Sequence, residues 1–327
     1  MASSCSTTGH VWFMIMIFVS VLGDGDGVVV SKDGSGDYDT ISKAIAKAPN
    51  LSKEAYTIYV RAGTYKEFVT VPPHKTNIVL IGHSPQTTKI VAPANTKGTT
   101  IDIYGAGFMA QNMAFVNSAD LNASAAVAVR NEADHSVFFQ CSIEGFQDTL
   151  WAVSGRQFYK NCDIYGTVDF VYGNAAAVFQ DCSLFARYRE YVTFTAQSRE
   201  KASERTGFTF QRCKFTISPE EWHRMSQVHA TLGRPWRPYS TVAIMDSYID
   251  SIVDSKGWEE MPGQPIDKVT FVEFNNKGPG SNTSGRVNWT GVRLLTHLNQ
   301  AMPFTASTLL DADSWIPKKG VPYDSGF

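Results

Sequence analysis

The chain has 327 residues and a mass of 36.1 kDa, long enough for two domains or one elongated one. Hydrophobic residues make up 43% and charged residues only 18%, which excludes disorder as the main state. A net charge of -2 leaves no basic footprint for nucleic acid and no polybasic membrane patch, while 20 Phe, 13 Tyr and 7 Trp suit either a long stacked core or a sugar-binding cleft.

Met1 to Gly23 holds no Lys, Arg, Asp or Glu, and Val11 to Leu22 is nearly continuous apolar sequence. That run is too short to span a bilayer, which needs about 20 apolar residues. It fits the core of a secretory signal peptide over residues 1–23, although no Lys or Arg precedes it. A buried N-terminal strand is the rival reading. Sequons at Asn50, Asn122, Asn282 and Asn288 carry meaning only if the chain is exported, which makes it a candidate glycoprotein.

Asp37 or Asp39 is placed to cap a short helix over Thr40 to Ala48, which stops before Pro49. Such a helix would cover the first edge of a stack of strands. The segment from Phe304 to Leu310 is expected to do the same at the other end. The insert Pro219 to Val228 reads as a loop projecting from one face.

Between these ends the chain repeats. Phe138-Phe-Gln-Cys141-Ser-Ile143 returns as Tyr159-Lys-Asn-Cys162-Asp-Ile164, as Phe179-Gln-Asp-Cys182-Ser-Leu184 and as Phe210-Gln-Arg-Cys213-Lys-Phe215. The cysteines lie 21, 20 and 31 residues apart, and no helical stretch separates the units. Short alternating strands at that period imply a solenoid, an all-β parallel β-helix, because one coil cannot bury its inward face alone. Met113, the four cysteines and Ser247 then form one inward ladder. No cysteine pair has the spacing of a zinc or redox motif. Buried filler suits Cys141 and Cys162; Cys182 and Cys213 are either filler too or a disulfide between neighbouring coils.

Two coils share a further pattern. Cys141-Ser-Ile-Glu-Gly145-Phe-Gln147-Asp148 and Cys162-Asp-Ile-Tyr-Gly166-Thr-Val-Asp169 both read C-x-I-x-G-x-x-D. The aspartates keep the offset of their cysteines, so a β-helix places them one rung apart, about 4.8 Å in strand spacing. Two carboxyl groups that close cannot both ionise cheaply, which splits their pKa values and supplies an acid and a nucleophile or base at one pH. A bland alternative is a pair of turn aspartates. The next coil has Ala186 and Arg189 in these places, so the pair is not a requirement of every coil.

Gly145-Phe-Gln-Asp-Thr-Leu150, Gly166-Thr-Val-Asp-Phe-Val-Tyr-Gly173 and Leu232-Gly-Arg-Pro-Trp236 resemble the signature blocks of plant-type pectin methylesterases, and Gly63-Thr-Tyr65-Lys-Glu67 resembles an earlier block. The resemblance runs from about Gly27 to Pro317 and implies a single-stranded right-handed parallel β-helix over residues 24–327, with no inhibitor-like region before it. It implies an esterase that removes methyl groups from polygalacturonate in the cell wall without a metal or other cofactor. By the same resemblance Asp169 is the nucleophile, Asp148 the general acid and base, and Gln147 the oxyanion-stabilising amide. Arg234 is the arginine that holds the nucleophile ionised, and Trp236 an aromatic wall for the sugar. The expected partner is pectin, with a proteinaceous pectinesterase inhibitor as a further one, and the expected state is a monomer.

One position departs from the family pattern. A second oxyanion glutamine normally opens the block that reads Ala125-Ala-Val-Ala-Val129 here, so Ala125 has taken its place. Loss of one such donor costs about 3–4 kcal/mol of transition-state stabilisation. The survival of Asp148, Asp169, Gln147 and Arg234 argues for a slow esterase. A non-catalytic pectin-binding homologue is the alternative that Ala125 supports. A calcium-dependent lyase on the same solenoid is disfavoured, since Asp24-Gly-Asp26 lacks the spaced ligands of a calcium loop. No G-x-S-x-G or H-E-x-x-H motif points to a serine or zinc hydrolase.

Overall fold

The computed structural model describes residues 27–92, 98–119 and 125–327. The expected export segment, Cys5, Asp24-Gly-Asp26 and the sequon at Asn122 lie outside the described residues.

From Asn112 onward successive coils turn the same corner in the same way. Asn112, Gln140, Asn161, Asp181, Arg212 and Asp246 all have φ between 50 and 56°, the left-handed region. Short polar side chains tolerate that region best, which explains the recurring Asn and Asp there. Each corner is followed by the inward ladder of Met113, Cys141, Cys162, Cys182, Cys213 and Ser247, all buried. The strand before each corner enters a parallel sheet of eleven strands, the strand after it a parallel sheet of eight, and the third strand of the coil a sheet of six. The result is the expected parallel β-helix, with a separate two-stranded pair, Tyr191–Thr193 with His229–Thr231.

In-register stacking fills the interior with like residues. Phe138, Tyr159, Phe179 and Phe210 pair in sequence along the long sheet. Their rings stack at 5.1, 4.5 and 4.6 Å between centroids and within 14° of parallel. The stacked core that the aromatic content suggested is present in this ladder.

The same register corrects the disulfide alternative: Cys182 and Cys213 are free thiols. The Cys182 thiol lies 3.4 Å from Gln180 O and 3.5 Å from Tyr159 O, and that of Cys213 lies 3.4 Å from Phe179 O and 3.5 Å from Gln211 O. Ladder neighbours point the same way at a rung spacing of about 4.8 Å, whereas a bridge needs the two side chains turned toward each other.

Helix α1 covers Ile41–Lys47 and buries Ile41, Ala44 and Ile45 against the first strands. Its cap is neither aspartate. Thr40 Oγ1 accepts from Lys43 N at 3.3 Å, and the Glu67 carboxylate accepts from Ile41 N and Ser42 N, both at 3.0 Å. Asp37 instead accepts from Val29 N, and Asp39 pairs with Lys43 on the surface. The glutamate of the Gly63–Glu67 block thus satisfies two otherwise orphaned helix donors. The insert after Ile217 is a 3-10 helix, Pro219–Gln227, rather than an open loop.

The C-terminal segment differs from expectation. Helix α2 (Leu298–Ala301) contributes Ala301 to a small cluster with Ala243, Met245 and Val272, and α3 (Ala306–Leu310) lies on the outer face of the strand Ala176–Gln180. Ala306, Leu310, Ala312, Trp315 and Ile316 pack on Val137, Phe158, Ala176 and Val178. These strands are apolar on both faces, so the long sheet needs cover along its side, and the tail supplies it there instead of at the end. Trp315 is 5% exposed, stacks on His135 at 4.8 Å and donates to Leu310 O at 3.0 Å. Trp315→Ala is expected to cost about 3–5 kcal/mol in denaturant unfolding. A loss below about 1 kcal/mol would mean that the tail does not support the fold.

Candidate active site

The six-stranded sheet positions the site. Strands Leu150–Ala152 and Val171–Gly173 pair with Leu150 opposite Val171 and Trp151 opposite Tyr172. Asp148 and Asp169 precede those paired leucine and valine residues equally, so they occupy matching corners of adjacent coils. Asp148 N donates to Val168 O at 3.0 Å. Both aspartates have left-handed backbone, with φ of 60° and 52°. The bland reading and the chemical one are therefore compatible: the residue type that turns the corner also carries the carboxyl group. Gly166 lets the second corner close, since a Cβ there would lie 2.2 Å from Phe170 Cβ.

Arg234 reaches Asp169 from a later coil. Its Nε donates to Oδ1 at 2.8 Å and its Nη2 to Oδ2 at 2.7 Å, a two-pronged ion pair. Gly233 makes this approach possible. A Cβ at Gly233 would stand 2.0 Å from Thr195 Oγ1, and Arg234 N donates to Thr195 O at 3.0 Å.

Asp169 is only 3% exposed. Burial raises its carboxyl above the ordinary value, Arg234 draws it back, and Glu259 pushes it up again. The Arg234 charge expected to keep Asp169 ionised thus works against a desolvation that is the larger influence. Asp148 has no hydrogen-bond partner for its carboxyl among the described residues. Burial first and the charge of Asp169 second push it up to about 7, against the pull of Arg234. The pair is still divided as its chemistry requires. Asp169 has a cation opposing the cost of its charge, whereas Asp148 has none bonded to it and is poised to carry a proton near neutral pH. Such a pair can attack an acyl carbon with one member and protonate the leaving group with the other.

Stability follows from the same shift. A carboxyl raised in the folded state favours folding below its unfolded pKa and loses that contribution as pH rises through about 7. Asp148→Asn removes the penalty. Its unfolding free energy relative to wild type should therefore rise between pH 5 and 8, by on the order of 2 kcal/mol after allowing for the half-buried setting of Asp148. A difference that does not vary with pH would contradict the assigned shift.

Gln147 is half-buried on the same corner, and its carbonyl accepts from Ala126 N at 3.0 Å. Its side-chain amide has no partner among the described residues and remains available to a ligand. Ala125 is exposed beside Ala126, on the coil preceding Gln147. Trp236 is 39% exposed, with its N donating to Gln197 O at 3.0 Å.

Several neighbours escaped the sequence reading. Trp151 and Tyr172 stack at 5.4 Å with 16° between planes. Arg130, in register with Trp151, lies over Trp151 at 4.9 Å and over Tyr104 at 5.0 Å. The signal was available, because Trp151 and Tyr172 follow the two aspartates at the same offset. Thr193 and Glu259, the latter beside Arg234, had no such periodic signal.

The sequence model described as Pectinesterase matches residues 27–313. A probable pectinesterase/pectinesterase inhibitor 12 of Arabidopsis thaliana is 39% identical over 312 residues, 92% of this chain and 57% of that protein. Pectinesterase 2 of Citrus sinensis is 39% identical over 309 residues, 91% of this chain and 60% of that protein. The chain thus spans less than two thirds of these relatives' length. Among solved structures, pectin methylesterase from carrot superposes with a TM-score of 0.90 at 38% identity, covering 94% of this chain and 99% of that one. Pectin methylesterase from Erwinia chrysanthemi gives 0.73 at 27% identity, covering 86% and 96%. On this match of pattern, sequence and fold, the chain belongs to the pectinesterase family.

Proposed function

We propose that the protein is a carboxylic ester hydrolase that removes methyl groups from methyl-esterified polygalacturonate, releasing methanol. The observation that carries this reading is the buried Asp169, held by both prongs of Arg234 one rung from a raised Asp148. Asp169 attacks the ester carbonyl carbon, with the oxyanion facing the Gln147 amide. The bond to the methoxy oxygen breaks, and Asp148 delivers its proton to the departing methanol. Asp148, now a carboxylate, takes a proton from water as that water attacks the acyl-enzyme. Asp169 leaves as a carboxylate, the galacturonate acid is freed, and Asp148 is protonated again. Trp236, two residues after Arg234 and 39% exposed, offers an aromatic face to the pyranose.

The cycle requires Asp148 protonated and Asp169 ionised at its start. Turnover per free enzyme should fall on the alkaline side with an apparent pKa near the value of about 7 assigned to Asp148. A rate that stays level from pH 6 to 9 on a short methylated oligogalacturonate would remove Asp148 from the acid role.

Methanol release from methylated pectin by the purified protein tests the reading as a whole. Pectin binding without methanol would favour the impaired homologue that Ala125 supports. Export to the cell wall, as a monomer, belongs to the same proposal. It rests on Val11 to Leu22 and on the exposed sequon residues Asn50, Asn282 and Asn288. Among the described residues no helix is long and apolar enough to cross a membrane. A proteinaceous inhibitor as partner rests on the compound name of the Arabidopsis relative.

A further inference from the structure

Arg234 has a second carboxylate. Asp169 occupies its Nε and Nη2, which leaves the Nη1 edge of the fork, and Glu259 Oε1 lies 3.7 Å from Nη1. Glu259 is held by a hydroxyl, with Thr193 Oγ1 donating to Oε1 at 2.7 Å. Its backbone is fixed as well. Glu259 N donates to Gly233 O at 3.1 Å, Leu232 N to Gly257 O at 2.7 Å, and Gly233 bridges to Trp258. Trp258 is fully buried and stacks on Phe271 at 4.3 Å, which anchors the segment.

Thr193 belongs to the nucleophile's own neighbourhood. Thr193 N donates to Thr167 O at 3.0 Å, and Phe170 N to Thr193 O at 3.4 Å, on either side of Asp169. The hydroxyl that fixes Glu259 therefore stands on the strand directly above the Asp169 corner. Glu259 ties that corner to the turn that carries Arg234.

We propose that Glu259, locked by Thr193, is a positioning residue that holds the Arg234 guanidinium on the edge opposite Asp169 and shares its charge. This inference rests on the esterase reading of the site. One cation then serves three carboxylates. Asp148, Asp169 and Glu259 all act on Arg234, and Tyr172 senses both aspartates and Arg130. A guanidinium fully given over to Asp169 would make that carboxylate a poorer nucleophile, and one left loose would mis-aim it. Glu259 guards against both.

Glu259→Gln keeps the shape and the Thr193 contact but removes the charge. The acidic limb of the kcat/KM profile should move down by about half a pH unit, and kcat should fall about three- to tenfold with KM unchanged. Thr193→Val leaves the charge but unties it, and should lower kcat in the same direction. A Glu259→Gln profile that superimposes on wild type, or a Thr193→Val enzyme with wild-type turnover, overturns the proposal. A carboxyl-carbon NMR titration of aspartate-labelled wild type and Glu259→Gln separates this from failure of the esterase reading. If the wild type releases no methanol, that reading falls. The Asp169 titration still supports the positioning role if it moves down in the variant, and refutes it if it stays.

Discussion

Asp169→Asn should lower methanol release by at least about a thousandfold, because an amide cannot form the acyl-enzyme. The choice of replacement matters. Asp169 sits at φ 52° and neutralises a partly buried Arg234. Alanine would place a poor left-handed former at the corner and strip the guanidinium of its partner, and an uncompensated charge of this kind costs about 3–5 kcal/mol. Asparagine tolerates the corner and still offers one oxygen to Arg234. Asp169→Asn should therefore melt close to wild type while losing turnover, whereas Asp169→Ala should lose both. An asparagine variant that is folded and still releases methanol at the wild-type rate would end the nucleophile assignment and, with it, the mechanism. KM for the polymer should change little, since the aromatic residues Trp236, Trp151 and Tyr172 are untouched.

The parts of this site that the sequence reveals are those that repeat. Asp148 and Asp169 share an offset with Cys141 and Cys162, and the solenoid converts a shared offset into adjacency. The left-handed corner residues explain why the cysteine ladder is always preceded by a polar residue. What the sequence hides is cover and cross-linking by segments outside the repeat. Val137, Phe158 and Val178 alternate with Phe138, Tyr159 and Phe179, so both faces of those strands look apolar. That pattern demands a partner but does not name Ala306 to Val321 as the one. Glu259 is likewise silent, because it meets Arg234 through a turn beyond the periodic coils. The balance at Asp169 is half hidden for a related reason. The ion pair is visible in the motif, but the burial that outweighs it is a property of the assembled groove.

Ala125→Gln is expected to raise turnover. Gln147 is the one side-chain amide among the described residues that its place beside Asp148 makes available to the developing oxyanion, and a single well-placed donor is worth about 3–4 kcal/mol, or a hundred- to thousandfold. The position can receive the longer side chain. Ala125 is exposed, so no core atom has to move, and the neighbouring Ala126 is tied by its N to the carbonyl of Gln147 itself. A glutamine at 125 would therefore start from the coil next to that of Gln147 and Asp148. A new side chain must also be ordered, which consumes part of the gain, so a rise of about tenfold to a hundredfold in kcat is the expected result. The effect should fall on kcat rather than KM, because the donor bonds more strongly to the oxyanion than to the ground-state carbonyl. It should vanish when combined with Asp169→Asn. A lower KM at constant kcat would instead make residue 125 a contact for the bound sugar. No change in either parameter would mean that the coil opening at Ala125 does not face the reacting ester.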